Sequence, residues 1–479
     1  MAENQTDGFD LTIKTPPVGL AIVAMVGPSF VWAAEFIGSG EVILATRTGA
    51  ILGSSVLWAI VMGIFLKYWI GMSGARYTVC TGEGMIDMFD RIPGPRHWVV
   101  WVVLLVQFGA GIVSIGALAT ASGVFLSNLT HLRPDVCGWA VTVVAVGIAW
   151  TGTFDVLKIV MSFFVLVIVL GVAYVAAHVF PTWSEFLYSL TFHLPQVPQW
   201  AQEIKGVSAD PWRELLPLMG WGAGGFASQV WYTYWVIGAG YGASEGRGYG
   251  KPADLGALKR LSESAARKIK GWCHVLYADA TLAMVIGVVV TGAFFIAGAG
   301  ILGTAKIAPQ GPDVAIQLSN VFAQKWGTIG RVIFMIAGSA ALISTQIGQL
   351  AGWPRMLADS FRICFPGLDR RYAWKTQFRF FLVFFFVTNV ILVACFKNSP
   401  VLFIMFSSVL DGLLLTPFQA LWVAVAIFFV MPKMLSQEAG RILRPHWIFA
   451  VGLVAAFLFF GYVCIYQIPR TLISVFGGG

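Results

Sequence analysis

Charge is scarce in this sequence. Only 11% of its 479 residues are Asp, Glu, Lys or Arg, and 58% are apolar. A soluble domain carries about 25% charged residues. With a mean hydropathy of +0.78, the chain reads as a polytopic membrane protein and not as a large soluble core. Cysteine patterning is lacking too. Cys80, Cys137, Cys273, Cys364, Cys395 and Cys464 are scattered and form no CxxC pair, so neither a disulfide framework nor a zinc site is implied. There is no HExxH. The glycine-rich GRGYG of residues 246–250 follows no strand and lacks the P-loop lysine. No enzyme and no permanently bound cofactor is expected. The N-terminal MAENQTDGFD has no basic n-region, which argues against a secretory signal and for a cytoplasmic tail over residues 1–18. The net charge of +8 does not imply nucleic acid, because the basic residues cluster in loops between apolar runs.

What the chain does have is apolar length. A membrane-crossing helix needs about 20 apolar residues, and on that rule there are about eleven spans. They run over 19–45, 51–73, 98–126, 136–151, 156–178, 215–241, 273–298, 329–352, a ninth ending near 396, 401–431 and 447–466. A polar loop holds Arg76, Arg91 and Arg96, and 181–214 has no continuous apolar run. With a cytoplasmic N-terminus, the loops after spans 2, 4, 6, 8 and 10 lie inside and hold most of the 31 Lys and Arg. An odd span count then puts the C-terminus outside. The expectation is one transporter domain over 19–479 in a plasma or inner membrane. Its halves are about 19–178 and 215–431, with an extra helix at about 447–466.

Two spans are interrupted by glycine. Residues 27–50 read GPSFVWAAEFIGSGEVILATRTGA, with Gly38-Ser39-Gly40 between Glu35 and Glu41. The sixth span carries Gly220, Gly222, Gly224 and Gly225. Glycine weakens a helix, and a carboxylate at membrane depth is costly. Breaks at matching positions of two five-helix halves point to an inverted repeat with a midplane site. The bland reading is that these glycines only let helices pack closely.

Glu41 heads the candidates for binding a cation, with unwound carbonyls near Gly38 adding hard oxygen ligands. Glu35 reads as a second ligand, a proton acceptor or an internal partner for Arg47. Ser228 and Gln229 follow the glycine run as oxygen donors or as interhelical hydrogen bonders. Asp411 lies inside the tenth span near Ser407, Ser408 and Thr416, and an intramembrane Asp is a functional candidate by default. Asp279 sits nearer the cytoplasmic end of the seventh span. Ser344, Thr345, Gln346 and Gln349 form a polar patch on the eighth.

The chain resembles the NRAMP family of divalent metal transporters over nearly its whole length. GPSFVWAAEFIGSGEVILATRTGA is similar to the first-helix segment that begins GP, carries a DPGN break and closes on GA. GAILGSSVLW and ARYTVCTGEG resemble the second helix, and FDVLKIV the start of the fifth. IAGSAALISTQIGQLAG resembles the Ser/Thr-rich eighth helix, and SSVLDGLLLTPFQALW the tenth. The resemblance implies an all-α LeuT-type fold with a 5+5 inverted repeat and broken helices 1 and 6.

The departures fall on the metal site. The family's DPGN aspartate matches Gly38 and its asparagine matches Glu41. Its MPH matches Phe226, Ala227 and Ser228, and its tenth-helix glutamine falls on Ser408. The soft methionine ligand is gone, and oxygen-only sites suit magnesium, calcium or manganese. The third-helix acids associated with proton movement have no counterpart in QFGAGIVSIGALATASG, so protons stay open as a partner. The expected metal site has Glu41 as main ligand and Asp411 as second carboxylate. The carbonyls of Gly38 and Phe226 stand beside it, with Ser228, Gln229 and Ser408 as donors. Glu35, Arg47, Asp279 and Gln346 are candidates for coupling or gating. The metal is cargo, the lipid bilayer the other partner, and no oligomer is required. Two alternatives stand beside this reading. One is an organic cation or amino acid held by Trp231, Tyr232, Tyr234 and Trp235 through cation–π contact. The other is a transporter fold retired to sensing or scaffolding.

Overall fold

The computed structural model describes residues 13–471 apart from 179, 205, 311–312 and 397–398. Residues 1–12 of the expected tail lie outside the described residues. The chain is all-helical among the described residues. Seven helices there are long and apolar enough to cross a membrane. Pro134–Trp150, Phe154–His178 and the two broken spans complete eleven.

Several boundaries differ from expectation. The second span is Leu57–Thr81, so Arg76 belongs to a helix and not to a polar loop. The seventh begins at Glu263, which absorbs part of the expected basic loop. The eighth continues from Gly327 to Cys364. In each case the helix outruns its apolar stretch, because polar ends that leave the hydrocarbon layer keep their hydrogen bonds. The tenth span is also broken, into Pro400–Gly412 and Thr416–Val425, with Pro417 just inside the second piece where its missing N–H is harmless.

The first span is Pro28–Phe36, a gap, a π-helical turn Gly40–Ala45 and then Thr46–Leu52. The sixth is Trp212–Trp221 and Phe226–Ala239. Its break is sharp because two consecutive residues adopt left-handed backbone, Ala223 at φ 59° and Gly224 at φ 73°. Glycine does this freely, whereas alanine pays roughly 1–2 kcal/mol. The second piece of the first span and the first piece of the sixth pack backbone to backbone on their neighbours. A Cβ on Gly49 would lie 2.1 Å from the Phe295 carbonyl oxygen. One on Gly220 would lie 2.3 Å from that of Ser408, and one on Gly412 1.9 Å from that of Gly220. Small residues thus let the sixth and tenth spans touch without side chains between them.

Candidate cation site at the helix breaks

The two gaps face each other at a small cavity of about 10 Å³, lined by Glu35, Phe36, Ser39, Gly40, Trp221, Gly224, Gly225, Thr345, Gln349 and Asp411. That is room for about one water-sized sphere. Its two carboxylates are Glu35 and Asp411. Glu35 accepts from Ser228 Oγ at 2.6 Å, and Ser228 in turn accepts from Trp32 Nε1 at 3.0 Å. Asp411 Oδ1 accepts from the Ala227 N–H at 3.4 Å, at the start of the second piece of the sixth span. It can sit there because Gly225 has no side chain: a Cβ would lie 1.9 Å from Asp411 Oδ2. The positive end of a half-helix thereby faces a carboxylate.

Glu41 does not line the cavity. Its Oε2 accepts from the Gly38 N–H at 2.8 Å, bridging the break of its own span, and its Oε1 is buried with no partner. The opening N–Hs of a helix have no intrahelical acceptor, which explains the capping. The Gly38 carbonyl accepts from Val42 N–H at 2.8 Å, and the Phe226 carbonyl from Gln419 Nε2 at 3.0 Å. Both oxygens expected as free ligands therefore hold protein donors. Ser408 Oγ donates within its own helix to Met405 at 2.8 Å. Gln229 Nε2 donates to the Ala223 carbonyl at 2.9 Å, leaving its Oε1 buried and unpartnered.

The gating candidates divide. Arg47 does not meet Glu35. It makes a buried two-pronged pair with Glu214, at 2.8 and 2.9 Å, and donates to the Pro309 carbonyl at 2.6 Å. That ties the first span to the sixth at one end of the bundle. Asp279 accepts from the Gly27 N–H at 3.1 Å and from Tyr232 OH at 2.8 Å, so it anchors the start of Pro28–Phe36. Gln346 is buried with neither amide atom partnered. At the opposite end, Arg362 bridges Asp87 at 2.6 Å and Asp359 at 3.4 Å, and Arg91 pairs with Glu83 at 2.5 Å. Ion pairs thus tie neighbouring elements together at both ends of the bundle.

Lys67 was missed by the sequence reading. It is 0% exposed, and its ammonium donates to the carbonyls of Met219, Gly220 and Gly224 at 3.0, 2.5 and 2.7 Å. The first two lie at the C-terminal end of Trp212–Trp221, the negative end of a half-helix, and Gly224 lies in the gap. The C-terminal end of a half-helix can coordinate a cation, and here a side chain fills it. The signal was a lysine deep inside LWAIVMGIFLKYWIGM, too far from either end to snorkel. The aromatic run turns away from the cavity. Tyr232 stacks on Trp32 at 4.1 Å, Trp231 packs edge-on to Trp353, Tyr234 donates to Asp359, and Trp235 lies under Arg355. No three His, Cys, Asp or Glu side chains converge as a preformed metal cluster among the described residues.

Comparison with known proteins accords with this geometry. Residues 29–204 match the model of the family described as natural resistance-associated macrophage protein-like. The divalent metal cation transporter MntH of Yersinia enterocolitica is 30% identical over 93 residues, 19% of this chain and 23% of that protein. The matched part thus spans less than a quarter of that relative. A mutant of the Eremococcus coleocola manganese transporter is similar in structure, with a TM-score of 0.66 at 13% identity over 99% of this chain and 92% of that one. MhsT in complex with L-phenylalanine scores 0.52 at 12% identity, over 93% and 99%. The shared fold is that of the LeuT-type transporters, with broken first and sixth helices. Within that class, residues 29–204 resemble the NRAMP family over somewhat more than a third of the chain.

Proposed function

We propose that the chain carries a divalent metal cation across the membrane by alternating access, with magnesium or manganese as cargo. The observation that supports this is the cavity between the two breaks. Its ionisable lining is Glu35 and Asp411, its other side-chain donors are the oxygens of Ser39, Thr345 and Gln349, and it contains no thiolate or thioether. Oxygen donors favour the harder divalent cations. Because Lys67 holds the backbone oxygens at the sixth-span break, the ligands come chiefly from side chains. Glu41 positions the first break and adds negative charge behind it. The halves 19–178 and 215–431 move about the site with the N-terminus inside. Opening one end requires the Arg47–Glu214 pair to part, and opening the other requires release of the Arg362 latch.

The test is manganese and magnesium uptake into proteoliposomes. Glu35→Gln and Asp411→Asn are expected to reduce uptake to background, and Glu41→Gln to reduce it less. Unchanged uptake in both of the first two variants would sink the assignment. Inhibition by organic amines and not by divalent metals would move the cargo to the organic-cation class. A manganese-dependent thermal shift without flux would mark a sensor.

A further inference from the structure

Away from the cation route lies a second pocket, of about 350 Å³, at the end of the bundle where the second, seventh and eleventh spans meet. Arg76, Lys270, His274, Arg444 and His446 line it, together with the ring of Phe449, and no Asp or Glu does. Lys270, His274, Arg444 and His446 are exposed, and none of the four has an ion-pair partner among the described residues. Arg76 is the exception in burial, at 4% exposed. Its Nη2 donates to the Leu443 carbonyl at 2.7 Å and its Nη1 faces the sulfurs of Cys80 and Cys273. Its Nε is buried with no acceptor, and no carboxylate pairs with it among the described residues. A buried guanidinium without an anion is costly. This one lines a pocket whose other charged and imidazole side chains, Lys270, His274, Arg444 and His446, are all basic.

The surroundings say which anion fits. His446 immediately precedes the apolar eleventh span, whose Trp447, Val451 and Leu458 are 66%, 54% and 61% exposed. That outward apolar face begins beside the basic pocket, so the pocket lies at headgroup depth and acyl chains can run down the helix. His446 Nδ1 accepts from the Ile448 N–H, which leaves Nε2 to donate into the pocket. Basic pockets between spans suit anionic headgroups, and Arg presents paired N–H groups to phosphate oxygens.

We infer that this pocket binds the phosphate headgroup of an anionic phospholipid, held by Arg76, Lys270 and Arg444 and covered by the two histidines. The lining alone carries this, independently of the transported cargo. The purified full chain is titrated with dioctanoyl phosphatidylglycerol, dioctanoyl phosphatidylcholine and inorganic phosphate, read by thermal shift and by native mass spectrometry. Saturable stabilisation by phosphatidylglycerol alone is expected. The double variant Lys270→Gln/Arg444→Gln changes only exposed side chains and is expected to weaken that binding about tenfold or more, with the ligand-free melting point unchanged. Arg76→Gln is expected to abolish it, and the double variant keeps the test decisive if Arg76→Gln does not fold. Equal binding of phosphatidylcholine, an equal response to inorganic phosphate, or undiminished lipid binding in the double variant would each overturn the inference.

Discussion

The first and sixth spans break at matching places, yet groups of opposite charge hold the two gaps. At the first, the carboxylate of Glu41 accepts the Gly38 N–H, and Thr345 Oγ1 donates to the Ile37 carbonyl at 3.2 Å. At the sixth, Lys67 collects three carbonyls on one side of the gap while Asp411 faces the N–H end on the other. A broken helix exposes donors at one new end and acceptors at the other. The first gap satisfies its donor from within its own span. The sixth borrows both partners, from the second and tenth spans. Pseudo-symmetric backbones therefore do not imply symmetric sites, and the sixth break depends on the surrounding bundle far more than the first does.

The sharpest way to break that comparison is to remove its two charges in turn. Lys67→Met leaves three buried carbonyls without their donor and is expected to cost about 3 kcal/mol or more, read as unfolding in detergent, with loss of uptake. Glycine replacement comes next. Gly225→Ala drives a Cβ into Asp411, and Gly38→Ala drives one into Thr345 Oγ1, 2.2 Å away. Each is expected to cost about 1–3 kcal/mol. Thr345→Ala should relieve the Gly38→Ala variant, and no such trimming should rescue uptake in Gly225→Ala, because the displaced group is Asp411 itself. Glu41→Gln should cost about 1 kcal/mol or less, since an amide oxygen still accepts the Gly38 N–H. A loss equal to that of Lys67→Met would erase the asymmetry.

A pH-dependent effect lies outside the spans and serves as a reference. Burial pushes the Asp87 carboxyl up to about 7, although the Arg362 guanidinium beside it pulls the other way. A carboxyl raised above its unfolded value of about 4 contributes stability below that value, and this is lost as pH rises through 7. The melting point of the wild type should therefore fall relative to that of Asp87→Asn between about pH 4 and 8. Parallel curves would remove Asp87 from the pH response.

Much of this architecture could be read from the sequence because membrane spans and glycine breaks are local signals. Apolar runs marked eleven spans, and the runs around Gly38 and Gly224 marked both gaps. The motifs quoted for the first and second helices lie almost entirely within the stretch that matches the family model. What escaped depends on which side chains meet. Glu214 looked like the end of an irregular loop, so Arg47 was offered Glu35 as its partner. Lys67 looked like one charge in an apolar helix, and nothing local places it under the sixth span. Glu41 sits beside the break, but only its rotamer shows that it caps Gly38 and leaves the cavity to Glu35. Asp411 was legible because a carboxylate inside a span has few bland explanations.

The bare contact of Gly220 with Gly412 has a mechanical consequence. Two helices that meet backbone on backbone have no side-chain layer in which to slide, so the first half of the sixth span and the first half of the tenth behave as one rod. Asp411 is bolted to that rod one residue from the joint. A displacement of that half of the sixth span would carry Asp411, and with it one wall of the cavity.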